Sequence, residues 1–145
     1  MRAALQEDLA DLEVIERLGF AAEGPWDRVA LAKELALPEA TVDLALSDGV
    51  AVGYASWRRG VGEVELLRVA VLPEHRRNGV AATLLEHGLG AAALRSSERV
   101  HLEVREGNVA ARALYERVGF EVVGRRGGYY PDGETAVLYS LGIPK

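Results

Sequence analysis

The stretch from Glu65 to Leu85 reads Glu-Leu-Leu-Arg-Val-Ala-Val-Leu-Pro-Glu-His-Arg-Arg-Asn-Gly-Val-Ala-Ala-Thr-Leu-Leu. Leu66 to Leu72 is short, apolar and β-branched in part, whereas Leu84, Leu85 and their neighbours recur at helical spacing. The hydrophobic period therefore changes from strand to helix between them. Arg76, Arg77, Asn78 and Gly79 stand where the helix begins, and a first helical turn offers N–H groups with no internal acceptor and the positive end of its dipole. Such a turn binds phosphate. Gly79 has no Cβ and Ala81 is nearly as small, so a pyrophosphate can lie against the backbone, with Arg76 and Arg77 adding charge. The same residues also suit an ordinary strand, solvated basic loop and helix. Two common nucleotide patterns fail: no Lys-Ser or Lys-Thr follows Gly79, and the three spaced glycines of a dinucleotide fingerprint are reduced to one.

Length and composition bound the rest. The 145 residues suit one domain, residues 1–145, with a single core. Hydrophobic residues make up 49% and charged residues 27%, which argues against disorder and fibrous architecture. A formal net charge of −5 speaks against a nucleic-acid partner and for cationic ones such as amines or basic peptides. The absence of cysteine excludes disulfides, thiolate zinc sites and cysteine nucleophiles. His75, His87 and His101 are dispersed without metal-ligand partners nearby, so no metal is expected. No Gly-x-Ser-x-Gly element is present. Acidic residues interrupt the N-terminal sequence before any signal-length apolar run, and nothing is long enough to span a bilayer; a cytoplasmic protein without a membrane partner is expected.

Along the chain, Arg2 to Leu5 reads as a first strand. Glu7, Leu9, Leu12, Ile15, Glu16 and Leu18 then follow helical spacing up to Gly19. A second helix begins near Pro25-Trp26-Asp27, carries Val29, Leu31, Leu35 and Leu37, and stops at Pro38; Phe20 to Gly24 connects the two. Ala40–Leu46 and Val50–Trp57 flank Asp48-Gly49, a strong hairpin signal, and Glu63–Leu72 continues as a third antiparallel strand. The helix from Asn78 or Gly79 to Leu94 lines up Val80, Leu84, His87, Ala91 and Leu94, and its Gly88 and Gly90 suggest close backbone packing. Arg99–Arg105 alternates Val100, Leu102 and Val104 against His101, Glu103 and Arg105. Asn108 caps a helix over Val109–Val118, Gly119 ends it, and extended segments follow at Phe120–Gly124 and Thr135–Leu141. A parallel, right-handed crossover from Leu66 to Arg105 is then expected inside an otherwise antiparallel sheet, with ligands at the carboxyl ends of the parallel strands.

Two motifs carry a resemblance. Arg76-x-x-Gly79-x-Ala81, between an apolar strand and a Leu-Leu helix, resembles the acyl-CoA signature of the GNAT (GCN5-related) N-acetyltransferases. Asn108-x-x-Ala111-x-x-Leu114-Tyr115, followed by Gly119-Phe120, is similar to the second half of that domain. The flanking Leu102-Glu103-Val104-Arg105 and Arg125-Arg126-Gly127-Gly128-Tyr129-Tyr130-Pro131-Asp132-Gly133 narrow it to the RimI-like branch, which acetylates the N-terminal alanine of a small-subunit ribosomal protein. The resemblance runs from about Ala51 to Leu141. It implies a mixed α/β fold: a mostly antiparallel sheet with a parallel β-α-β acetyl-CoA-binding unit and helices on both faces.

For the site, the resemblance implies acetyl-CoA held by Val69, Ala70 and Val71, by Arg76, Arg77, Asn78, Gly79, Val80, Ala81 and Ala82, and by Asn108 and Tyr115. Ala82 departs from the basic residue that relatives often carry. The acceptor implied is a peptide or protein N-terminus. An α-amine ionises near pKa ~8, so catalysis near neutrality gains from a base. Alternation alone reads Glu103 as a solvated glutamate in a row with His101 and Arg105; the resemblance makes it that base. It likewise makes Tyr115 the acid that protonates departing CoA thiolate, while a backbone N–H around Val71 serves a developing oxyanion. Tyr129, Tyr130 and Asp132 either wall the acceptor groove or form a plain Pro-Asp-Gly turn. Direct transfer to an N-terminal amine is the leading reading. Transfer to a lysine side chain, polyamine or aminoglycoside is the alternative, as is a noncatalytic acyl-CoA-binding module.

Overall fold

The computed structural model describes residues 1–19, 26–76, 78–94 and 99–143. Within them the elements are β1 (Arg2–Ala3), α1 (Leu9–Gly19), α2 (Arg28–Ala36), β2 (Ala40–Ser47), β3 (Val50–Arg59), β4 (Glu63–Val71), α3 (Val80–Leu94), β5 (Arg99–Arg105), α4 (Val109–Val118), β6 (Glu121–Arg126) and β7 (Ala136–Gly142). One sheet holds all seven strands in the order β1-β2-β3-β4-β5-β7-β6. Neighbours are antiparallel except β4 and β5, which α3 joins as a parallel crossover. The expected mixed architecture is therefore the one that folds.

Local chemistry explains most of the boundaries. Asp48 and Gly49 both take positive φ, 52° and 79°, the type I′ geometry whose twist matches a two-residue hairpin. Asp27 caps α2 by accepting the Ala30 N–H at 2.9 Å, and Asn108 caps α4 by accepting the Ala111 N–H at 3.2 Å. β1 is shorter than the sequence suggests, because the Leu5 N–H turns to Asp8 Oδ2 at 2.8 Å and a 3-10 turn over Gln6–Asp8 leads into α1. The predicted loop Phe20–Gly24 and the Pro25 helix start lie outside the described residues.

Two apolar clusters flank the sheet. Leu84 and Leu85 of α3 and Tyr115 of α4 pack with Trp57, Leu66, Val71, Val100, Leu102, Val104 and Tyr139 on one face. On the other, Leu12 and Ile15 of α1 and Leu31 of α2 cover Val42, Leu44, Tyr54, Ala70 and Leu72. Several side chains depart from the periodic reading. Val29 and Leu18 are exposed, whereas Glu16 and Glu34 are buried because the sheet supplies polar partners for them. His87 is about half exposed and reaches Asp43 at 3.9 Å, so the buried stripe of α3 runs through Leu84, Leu85 and Gly88 instead.

The two helical glycines also part company. A Cβ on Gly88 would lie 2.0 Å from Trp57 Cζ2, so the indole occupies the place of a side chain; nothing lies within 4 Å of a Cβ on Gly90, which corrects the expectation of close packing there. Gly88→Ala is expected to lower unfolding stability by about 1–3 kcal/mol through overpacking. Gly90→Ala should raise it by up to ~1 kcal/mol from helix propensity alone, and urea titration of both variants checks the opposite signs. A second expectation concerns Asp8, whose carboxyl is held at about 2 by the Arg2 hydrogen bonds at 2.7 and 2.8 Å and by the Leu5 N–H, against the opposing effect of burial. A depressed carboxyl stabilises above its ordinary pKa of 3.8 and ceases to as pH falls toward 2. Asp8→Ala should therefore cost about 1 kcal/mol at pH 7, Arg2 being partly in solvent, with the difference from wild type closing below pH ~4; denaturant midpoints across that range measure it.

Candidate active site

Paired strands part at the centre of the sheet. β4 and β5 are in register over Glu63↔Arg99, Val64↔Val100 and Glu65↔His101, and among the described residues the pairing ends there. Each strand keeps its outer neighbour: β4 stays on β3 to Val71↔Gly53, and β5 stays on β7 to Arg105↔Ala136. The inner edges of Leu66–Val71 and Leu102–Arg105 consequently face a gap, presenting backbone amides and carbonyls to it. A bulge starts the divergence. Leu66 pairs with Trp57 and Arg68 with Ser56, so Leu67 is the extra residue, and bulges bend and twist the strand that carries them. Past it, Val69 and Val71 pack on the α3/α4 face while Ala70 faces α1.

Both helices that follow the parallel pair point their N-termini at this end of the sheet, α3 from β4 and α4 from β5. Gly79 holds φ +77°, with open space where a Cβ would stand. Its carbonyl accepts the Thr83 N–H at 2.9 Å and the Thr83 hydroxyl at 2.8 Å, which begins the α3 ladder with Val80, Ala81 and Ala82 in its first turn. Val80 and Ala81 pack on the core beneath, and Asn78 and Gly79 are exposed above. A helix start beside an exposed glycine of this kind fits a diphosphate. Arg76 is turned partly inward, donating through Nε to the Val71 carbonyl at 3.4 Å and through Nη2 to the Gly19 carbonyl at 3.3 Å, so it fastens the loop to β4 and α1. Arg77 lies outside the described residues. Asn108, half-buried, occupies the corresponding corner at the start of α4.

The two candidate proton-transfer groups stand on opposite sides of the sheet. Val100, Leu102 and Val104 turn into the α3/α4 core, where Tyr115 packs with its ring centroid 6.0 Å from Phe120 and 6.1 Å from Tyr139. Glu103 turns the other way. Its carboxylate, lying beside the Tyr129 hydroxyl, raises the Tyr129 pKa, and Arg126 Nη1 lies 3.5 Å away. Arg126 also stacks over the Tyr129 ring at 5.5 Å. Tyr130 meets Tyr129 edge-on at 5.2 Å and lies under the Arg105 guanidinium at 4.2 Å. Asp132 pairs with Arg105 at 2.8 Å; the Glu134 N–H and Arg105 together hold its carboxyl below the usual range. Of the three loop residues picked out in the sequence, then, Tyr129 touches Glu103, while Tyr130 and Asp132 touch Arg105.

Some groups escaped the sequence reading. Glu65 on β4 lies close enough to Glu103 to feel its charge, and partial burial first, then that charge, raise its carboxyl above the ordinary range against Arg58 and His101. Two carboxylates therefore stand near one another beside the gap. Nearby, fully buried Glu16 of α1 accepts the Tyr54 hydroxyl and the Trp26 N–H at 3.0 Å and pairs with Arg68, whose guanidinium lies 4.5 Å over the Trp26 ring. Burial and the Glu16 charge raise the Tyr54 pKa. The one local signal was Leu66-Leu67, where period-two alternation breaks; no local pattern brings α1 to β4.

Residues 7–120 match the Acetyltransferase (GNAT) family. The N-alpha-acetyltransferase of Saccharolobus solfataricus is 45% identical over 74 residues, covering 50% of this chain and 44% of that protein, so the chain aligns with less than half of the archaeal relative. The N-alpha-acetyltransferase RimI of Mycobacterium tuberculosis is 39% identical over 116 residues, 77% of this chain and 71% of the relative. The crystal structure of the ribosomal-protein-S18-alanine N-acetyltransferase from Escherichia coli superposes with a TM-score of 0.90 at 30% identity, covering 99% of this chain and 92% of that one. With the family pattern matched from α1 to the end of α4, this chain belongs to the acetyltransferase (GNAT) family, whose acetyl donor is acetyl-CoA.

Proposed function

We propose that the chain is a cytoplasmic enzyme that acetylates a protein N-terminal α-amine, the alanine of a ribosomal protein being the first acceptor to test. The observation that carries this is the placement of Glu103 and Tyr115 on opposite sides of the sheet, Glu103 on β5 past its last pairing with β4 and Tyr115 in the α3/α4 core. An acceptor arriving on the α1/α2 side meets Glu103; a thioester threaded from the α3/α4 side meets Tyr115. The names of the Saccharolobus and Mycobacterium relatives and of the Escherichia coli structure favour an α-amine over a lysine side chain, a polyamine or an aminoglycoside.

Each group then has a task. The first-turn amides of Val80, Ala81 and Ala82, with Asn78, Gly79, Arg76 and Arg77, hold the diphosphate. The inner edges of Val69, Ala70 and Val71, with Asn108, hold the extended arm much as an added strand would, and an amide near Val71 serves the carbonyl oxygen. Acetyl-CoA supplies an acetyl group activated as a thioester. Glu103 takes a proton from the incoming ammonium, directly or through water, with Glu65 as a second carboxylate that favours a cationic acceptor over a neutral one. Tyr115 gives its hydroxyl proton to the leaving thiolate. Tyr129 and Tyr130 flank the acceptor, and residues 1–145 act as one domain.

Peptides beginning with alanine, set against free amines, test the acceptor; equal rates, or none on the peptide, reject it. Glu103→Gln and Tyr115→Phe should each lower kcat by about 10²- to 10⁴-fold with acetyl-CoA binding retained. If acetyl-CoA binds, no amine releases CoA thiol and neither substitution matters, the chain is a binding module instead.

A further inference from the structure

We propose that Arg105 is a positioning residue, the latch that keeps the loop between β6 and β7 folded against Glu103. The inference rests on Glu103 being the base proposed above. Arg105 closes β5, and its side chain is mostly buried. One nitrogen, Nη1, bonds Asp132 Oδ2 at 2.8 Å and Glu134 Oε1 at 3.0 Å, and the guanidinium stacks over Tyr130 at 4.2 Å. Three residues of one loop therefore converge on a single cation. The loop adds bonds of its own: the Tyr130 N–H to the Glu134 carbonyl at 3.2 Å, the Gly133 N–H to the Tyr130 carbonyl at 2.8 Å and the Glu134 N–H to Asp132 Oδ1 at 3.0 Å.

The latch reaches both halves of the site. Tyr130 supports the Tyr129 ring edge-on, and Tyr129 lies under the Arg126 guanidinium, whose Nη1 stands 3.5 Å from Glu103. Glu134 spends its other oxygen, Oε2, on the Gly107 N–H at 2.8 Å, in the turn that delivers Asn108 to the start of α4. A Cβ on Gly107 would stand 2.7 Å from that oxygen, so the turn is built around the contact. In this chain of contacts Arg105 acts on Glu103 through Tyr130 and Tyr129. Charge-assisted bonds from a mostly buried guanidinium suit that task, because loss of the cation leaves two carboxylates facing each other.

Steady-state kinetics with an alanine-initiated peptide, on Arg105→Met, Arg105→Lys, Tyr129→Phe and the Arg105→Met/Tyr129→Phe double variant, test the latch. Arg105→Met should raise the peptide KM about ten-fold and leave the acetyl-CoA Kd within about two-fold, with Arg105→Lys between it and wild type; in the Tyr129→Phe background the same change should cost less than about two-fold more. Fully additive losses, an unchanged peptide KM, or an equal loss of acetyl-CoA affinity overturn the proposal. Amide hydrogen exchange decides it independently of turnover: faster exchange at Tyr130, Gly133 and Glu134 in Arg105→Met upholds the latch, and unchanged exchange overturns it. Should wild-type protein acetylate no peptide, the functional reading fails, and the exchange result still stands for or against the latch.

Discussion

Separation of two parallel strands is the constraint on which this molecule turns. A sheet normally satisfies both edges of an interior strand, and β4 and β5 forgo that after Glu65 and His101. What keeps the opening from collapsing is that each strand is fully engaged elsewhere, β4 with β3 and β5 with β7. The Leu67 bulge turns β4 away, and the N-termini of α3 and α4 converge on the carboxyl ends of the pair. Donors and acceptors left exposed in the middle of a sheet suit a ligand that carries amides of its own.

The two faces are finished differently. Under α3 and α4 the packing is almost wholly apolar, down to the indole of Trp57 seated where a side chain at Gly88 would be. Under α1 and α2 it is fastened by charge as well. Glu16 gathers Tyr54, the Trp26 N–H and Arg68, and Glu34 gathers Ser56 at 3.2 Å and Arg58 at 2.6 Å. Buried ion pairs are weak evidence for stability, but removing one partner is costly, so each specifies a docking geometry. Here they set how α1 and α2 seat on β3 and β4.

Much of the fold was legible because the signals were local. Asp48-Gly49 announced a hairpin, Asn108 and Gly119 bracketed α4, and the change of period across Pro73–Gly79 announced the crossover. The legible part of the site was local too: Gly79 and the helix start that follows it. Misreadings fell where a distant partner overrode the pattern. Glu16 fell among the charged positions of its helix and is buried; Val29 looked like core and is exposed. Asp132 is held by Arg105, twenty-seven positions earlier in the chain, a pairing that no local pattern announces.

By itself the sequence determined the element order, the parallel unit and the helix start after Gly79, since capping, turn chemistry and hydrophobic period act over a few neighbouring residues. Only the tertiary structure decided that β7 inserts between β5 and β6, that β4 leaves β5 after three paired positions, and that Glu65, Tyr129 and Arg126 gather about Glu103. Those arrangements join residues far apart in the chain, and the burial and charge that stabilise them do not exist until the sheet has closed around them.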